Sequence, residues 1–385
     1  MLQRRGGLHL FVAARLNRIA FAALLATTSN LTSSTNRRVK SNPFQRFLLG
    51  RAHLLALGLL VVDALPAAEP LRVCTSTTDL DSLARIIGGV RVQTFCFSKG
   101  NEDPHEIELK PSFAKELNRA ELYLQVGQGI ENAWLEKLIR TANNEAVKPG
   151  KKGNLNLGRA VRPLEGEAGK NTPNSFHEDG NPHYLLDPIE GLRAAREIRD
   201  KLSELRPDWK AEFAINHDQF RQRLAVALVG VECKRRDDVE KLAVELERLK
   251  DARAVKEFLT QHQIGGWLGA FAAHRGQSIV GDHDLWYFFA RRFGLEVLGY
   301  LEPSPGVPPT TKHVQELVGK MKAKQVQVIL SAPYFEQRFV EFAAKQSGAR
   351  PLPMAHQTAA RAGTDDYFTM LKHNADQMLA GLKAK

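Results

Sequence analysis

Two stretches of this chain, residues 71–126 and 277–353, alternate short apolar runs with longer helical ones. That order confines a chain to parallel sheets whose crossovers are helices. In the first stretch Leu71–Thr75 reads as a strand, Asp79–Ile87 as a helix stopped by Gly88 and Gly89, and Val90–Phe97 as a second strand. A helix over Ser112–Asn118 and a strand over Ala120–Val126 follow. A further helix is expected to open at Gly129–Trp134 and run through Arg140. The second stretch repeats the pattern, with strands at Gln277–Val280, Leu295–Tyr300 and Val326–Leu330 and a last edge strand around Leu352. Its helices are expected at Leu285–Phe293, Thr311–Lys322 and Glu336–Ser347, and Asp366–Leu382 closes the chain. Between the two lies a helical region with no strand pattern. It enters through Asp187 as N-cap and Pro188 in the first turn and continues past Pro207. Residues 143–181 are rich in glycine, asparagine, lysine and proline and read as loop.

In sheets of this kind ligands collect beyond the carboxyl ends of the strands. Those loops carry histidines. Glu102-Asp103-Pro104-His105-Glu106 follows the second strand, and Asn181-Pro182-His183-Tyr184 echoes it. A proline fixes its own φ and holds the residue before it extended, so each histidine leaves a stiff base. In the second half His283 follows Gly281-Asp282, and His356 follows the edge strand. The other eight histidines lie in the leader, in helices or in loops away from strand ends; His177, between Phe176 and Glu178, reads as a solvated loop residue. Four imidazoles, or three with an oxygen donor, suit tetrahedral Zn²⁺. Copper and nickel would bind the same donors, whereas calcium and magnesium want clustered oxygens. Asp365 and Asp366 stand near His356 as alternative donors or as the N-cap of the last helix.

The net charge of +11 first suggests a nucleic-acid partner. Residues 1–68, however, hold nine basic residues and one acid, leaving 45 basic against 42 acidic residues in 69–385. A body that close to balance gives nucleic acid no electrostatic footprint. The basic front end precedes Leu54–Val62, a short apolar run, and Ala64-Leu-Pro-Ala-Ala68. This is the pattern of a secretory signal cleaved near Ala68, and the run is too short for a permanent span. An exported protein meets an oxidising compartment, where Cys74 and Cys96 are the pair placed to bond, although neighbouring parallel strands bridge poorly. With Cys233 they do not make a thiolate zinc cluster.

Taken as an ordered series, these motifs resemble the zinc and manganese solute-binding proteins of bacterial ABC transporters. The residues that carry the resemblance are Gly100-Asn-Glu-Asp-Pro-His105, Pro111-Ser112, Leu117–Leu122, Gly129–Leu135, Asn181-Pro-His183, Asp187-Pro188, Asn216, Gly281-Asp-His283, Phe293-Gly-Leu295 and Asp366–Leu371. The resemblance implies an α/β fold of two lobes, each a parallel sheet flanked by helices, joined by a long rigid helix. It implies His105 and His183 as ligands from the first lobe and His283 from the second, where histidine goes with zinc and glutamate with manganese. The family's fourth ligand is usually an aspartate shortly before the tyrosine of the last helix. Here that region reads Pro353-Met-Ala-His-Gln357, so His356 is the nearest candidate, with Asp365, Asp366 or water as alternatives. The long histidine- and acid-rich loop of many zinc members is reduced to Phe176-His-Glu-Asp179.

The expectation is therefore a leader at 1–68, a first α/β lobe at 69–207, a connecting helical region at 208–250 and a second α/β lobe at 251–385. Such a protein would be exported to the periplasm and remain soluble and monomeric. It would capture Zn²⁺ (Mn²⁺ less favoured) between the lobes through His105, His183, His283 and His356, then pass it to a membrane permease. Neutral imidazole is the ligand form, so affinity should fall as pH drops through the histidine range. A periplasmic zinc hydrolase is the competing class, with Glu102 or Glu106 cast as general base. No His-Glu-x-x-His helix or nucleophile pattern supports it. A metal-binding adhesin on the same fold is a third reading.

Overall fold

A computed structural model describes residues 69–161, 180–303 and 307–382. The leader and His177 lie outside them. In the first lobe β1 (Leu71–Thr75), β2 (Val92–Cys96), β3 (Leu122–Gln125) and β4 (Asn154–Asn156) form a sheet in the order β2-β1-β3-β4. In the second, β5 (Ser278–Gly281), β6 (Glu296–Tyr300), β7 (Val328–Ser331) and β8 (Arg350–Pro353) follow the same order, β6-β5-β7-β8. Every pairing is parallel. Of the four inner strands, β3 and β7 are buried at all four positions, because helices cover both faces of each sheet.

The first-lobe helices are α1 (Thr78–Gly88), α2 (Pro111–Arg119) and α3 (Leu135–Ala142), and the central ones α4 (Pro188–Leu205), α5 (Lys210–Val229) and α6 (Val239–Arg248). The second lobe adds α7 (Ala252–His262), α8 (Gly266–Phe271), α9 (Tyr287–Phe293), α10 (Thr311–Ala323), α11 (Gln337–Ser347) and α12 (Tyr367–Gly381). Among the described residues no helix is long and apolar enough to cross a membrane.

Several local readings change. Asn154–Asn156 is a short edge strand inside the region read as loop, too brief and polar to show a period of two. Helix α3 begins at Leu135, not Gly129, because Gly127, Gln128 and Gly129 all have positive φ and coil the chain first. Cys74 and Cys96 are free. Cys74 pairs in register with Phe95, and Cys96 with Thr75. Neighbouring positions along a strand face opposite sides of the sheet, so the two thiols cannot meet.

The connecting region is broken as well. Helix α5 packs on α1, α4 and α8, then ends at Gly230 (φ 82°), where the chain passes close to the start of α8. A second tie crosses between the lobes at the start of α12. There Tyr367 N donates to Ser82 Oγ (2.9 Å), the Tyr367 hydroxyl donates to the Leu185 carbonyl, and its ring packs against Phe220. Gly191 makes room for that hydroxyl, since a Cβ there would lie 2.1 Å from it. Residues of both sheets and of α4, α5 and α12 share one apolar core. A smaller cluster covers the outer face of each sheet, one around Phe97 and Trp134 and the other around Leu301 and Leu317. The lobes thus behave as one body rather than as two held by a flexible strap.

Asp79, near the N-terminus of α1, is buried and accepts hydrogen bonds from Thr358 N and Oγ1, both 2.7 Å. Burial raises its pKa to about 6. Between pH 4 and pH 6 the folded protein then holds a proton that the unfolded chain has lost, so this carboxyl's contribution to stability falls as pH rises through that window. The helix N-terminus offsets part of the cost of ionising it. Asp79→Asn keeps the acceptor for Thr358 and removes the charge. Urea unfolding should find the variant more stable than wild type by about 1–3 kcal/mol at pH 7.5 and equal to it at pH 4. A gap that does not change with pH would refute this account.

Candidate metal centre

Three histidines from three strand-end or helix-start loops meet between the lobes. His105 follows β2, His183 opens the turn before α4, and His283 follows β5. Their ring centroids are 5.3 Å (His105–His183), 5.9 Å (His105–His283) and 5.7 Å (His183–His283) apart, and all three pairs cross edge to face. Each offers a ligand nitrogen within 4.8 Å of the other two. Tetrahedral zinc, with Zn–N near 2.0–2.1 Å, would draw such nitrogens to roughly 3.4 Å, a small inward shift.

Polar neighbours, some in the same loop and some from distant segments, hold each histidine in place. The Asp103 carboxylate accepts from His105 N (2.9 Å) and lies 2.8 Å from His105 Nδ1. Trp134 Nε1 pins the same loop by donating to the Pro104 carbonyl (3.1 Å). At the second histidine, Asn181 Oδ1 accepts from His183 N (3.0 Å), while Asn181 Nδ2 donates to Asp284 Oδ1 (3.1 Å) in the other lobe. At the third, Asp282 accepts from His283 N and Trp286 Nε1 through Oδ1 and from Ala332 N through Oδ2. The Glu302 carboxylate bonds His283 Nδ1.

Nδ1 of His105 and of His283 therefore each faces a carboxylate, which leaves Nε2 as the donor to an ion. Carboxylates behind imidazoles fix the tautomer and make the ring a stronger ligand. Electrostatics agree with this. Burial favours a neutral Asp103, but the His105 hydrogen bond and charge outweigh it and hold its pKa below the usual range. Burial pushes the His283 imidazole down, but Glu302, then Asp282 and Asp103, carry it above its ordinary value.

His356 does not join the three. It is buried, and its Nε2 donates to the Glu102 carbonyl (3.1 Å) while its ring abuts Tyr334. Burial pushes its pKa down to about 4, so the ring is neutral and uses its one N–H on that carbonyl. Asp366 is the N-cap of α12, in a capping box with Thr369, and Asp365 is exposed; neither belongs to the group. Glu102 turns its carboxylate to Lys99, accepting from Lys99 N (2.7 Å), and Glu106 is exposed. The sequence reading missed the carboxylates that matter. Asp103 sits inside the Pro-His motif with nothing to distinguish it from Glu102 and Glu106, and Glu302 lies 19 residues from His283 with no motif around it.

A sequence profile of the family described as zinc-uptake complex component A, periplasmic, matches residues 73–228 and 259–381. The high-affinity zinc uptake system protein ZnuA of Yersinia pestis is 24% identical over 316 residues, covering 77% of this chain and 86% of its own. The manganese-binding lipoprotein MntA of Halalkalibacterium halodurans is 20% identical over 318 residues, covering 82% and 89%. Among solved structures, a zinc-bound deletion mutant of ZnuA aligns with a TM-score of 0.60 at 22% identity, covering 82% of this chain and all of its own. The laminin-binding protein of Streptococcus agalactiae, described as an adhesin with metal-transporting activity, aligns at 0.59 and 19% identity, covering 81% and 99%. At these identities the structural likeness speaks for the fold.

Proposed function

The chain belongs to the family of periplasmic zinc-uptake component A proteins, substrate-binding subunits of metal ABC transporters rather than enzymes, and on that premise we propose that it is an exported zinc receptor. It takes up Zn²⁺ in the periplasm through His105, His183 and His283 and passes the ion to a membrane permease as a soluble monomer. The observation that carries this reading is the convergence of three imidazoles from both lobes, two of them backed by carboxylates. Nitrogen donors in this number suit zinc, whereas manganese favours carboxylate and water oxygens. The donor set thus favours zinc over the manganese named for one relative.

The local geometry argues against a hydrolase. A catalytic zinc needs a general base and room for a substrate. Asp103 and Glu302 are engaged with imidazoles, and Glu102 with Lys99. The cavity behind His183, lined by Pro104, His356 and Gln357 but by neither His105 nor His283, has a volume of about 20 Å³, room for little more than one water. A far larger cavity, about 1080 Å³, runs along α6 and α9 and contains none of the histidines.

Titration against a chromophoric chelator tests the proposal. One zinc should bind per chain, more tightly than manganese, and tighter manganese binding or no binding would overturn the reading. Glu302→Gln should weaken zinc binding about 10–100-fold, because the imidazole loses its anionic partner while keeping its place. Unchanged affinity in that variant would show that Glu302 does not tune the site.

A further inference from the structure

A segment of the second lobe that supplies no ligand is bonded directly to the loop that carries His105. Just beyond β8, Gln357 Nε2 lies 2.9 Å from the Lys99 carbonyl, 3.4 Å from that of Gly100 and 3.2 Å from that of Glu102. His356 Nε2 donates to the Glu102 carbonyl as well. Thr358 donates twice to Asp79, and Thr78 Oγ1 donates to the Thr358 carbonyl (2.7 Å). The contact is close enough to dictate sequence: a Cβ on Gly100 would lie 2.3 Å from the Ala359 carbonyl, so only glycine fits. Ala359 itself has φ 60°, a conformation that an alanine adopts only when its surroundings hold it there.

The segment is firmly fixed to its own lobe. Asn374 brackets Ala355 by accepting from its N–H and donating to its carbonyl, both 2.8 Å. Arg361 reaches the carbonyls of Met354 (3.1 Å) and Ser331 (3.0 Å), at the ends of β8 and β7. A rigid anchor on one lobe thus grips the main chain of residues 99–102 on the other, three residues before His105. Because the grip acts on main-chain carbonyls, it fixes where the backbone of the loop lies, provided position 100 is glycine.

We infer that residues 356–359 form a latch that positions His105 over His183 and His283, and so sets how fast a bound zinc ion leaves without touching it. The inference rests on the zinc reading above. Loosening the latch frees the loop, and His105 is then the ligand that lets go first. Gln357 and His356 are positioning residues, and Ala359, exposed beside them, puts the strained turn where a docking permease can reach it.

The test uses Gln357→Ala, Gln357→Glu and Gly100→Ala, with two readouts. Zinc release to excess chelator is followed by stopped flow, and amide hydrogen exchange is measured in the metal-free protein. The latch predicts release at least tenfold faster in all three variants, with exchange at residues 99–106 at least tenfold faster and β5 and β7 unchanged. Gln357→Glu separates bonding from packing, since it keeps the size of the side chain and puts an acceptor oxygen, which the three carbonyls repel, in place of the N–H donors. If wild type binds zinc and the variants match it in release or in exchange at 99–106, the latch is wrong. Should Gln357→Ala fail to fold, Gly100→Ala decides, because it pushes on the latch from the other side. A wild-type protein that binds no zinc instead overturns the reading of the site itself.

Discussion

His183→Ala is expected to weaken zinc binding a hundred- to thousandfold while leaving the metal-free fold intact. Structural zinc sites gain about 10–16 kcal/mol from roughly four ligands, so one imidazole carries about 3–4 kcal/mol, two to three powers of ten in Kd. His183 is the most informative of the three to remove. His105 and His283 each have a carboxylate at Nδ1, Asp103 or Glu302, that could swing onto the ion when the ring is gone. Removing His183 also leaves the Asn181–Asp284 bond between the loops in place. Competition with a chelator of known affinity measures the loss. His356→Ala, by contrast, should keep a tight site, since that ring is spent on the Glu102 carbonyl. If His356→Ala abolished binding and His183→Ala did not, the ligand set would have to be redrawn.

Arg292→Ala is expected to destabilise the protein by about 3–5 kcal/mol, the largest loss foreseen for one side chain away from the histidines. The Arg292 guanidinium, 2% exposed, donates through two nitrogens to the Asp187 carboxylate, both at 2.8 Å. It also reaches the Ala243 carbonyl (3.1 Å) and Glu247 (3.0 Å). Asp187 is fully buried and caps α4 by accepting from Ile189 N (2.8 Å). Deleting the arginine takes both hydrogen-bonding nitrogens from that carboxylate and leaves only Arg291, 3.5 Å away, and a poorly paired buried charge costs far more than the pair itself contributes.

The pair matters to the site because of where it lies. Asp187 follows the His183 turn, and Arg292 is on α9, just after the His283 loop, so it fastens two of the histidine-bearing segments from different lobes. Urea unfolding of Arg292→Ala, Asp187→Asn and the double variant gives the coupling directly. The double variant should recover much of the loss, because the amide that replaces the carboxylate still caps the helix and position 187 no longer carries a buried charge, while Glu247 keeps Arg291 at 3.5 Å. A loss below about 1 kcal/mol in Arg292→Ala would show that the tie does not hold the lobes.

The parallel sheets, the strand-end loops and the three histidines that meet were all legible from the chain. Strand and helix periods are local, and the rule that places ligands beyond strand ends needs only the order of elements. Asp187-Pro188 as a helix start was equally legible, because capping is a matter of a few neighbouring residues. That His356 lies apart from the three was not legible, for the complementary reason. Its position after a strand is the same kind of position as that of His283, and nothing nearby says which way the ring turns.

What sequence determined here is whatever is decided within a few residues: strands, caps, stiff Pro-His turns and the face each strand position takes. Even the absent Cys74–Cys96 bond follows from alternation, once the register of two adjacent strands is known. Tertiary structure decided which strand-end residues point at one another, because those choices are made by contacts between distant segments. Glu302 meets His283 across 19 residues, Arg292 meets Asp187 across 105, and Gln357 reaches the loop of His105 across more than 250. The energy of each contact depends on burial that exists only after both sheets have packed against a shared core, and no local pattern carries that information.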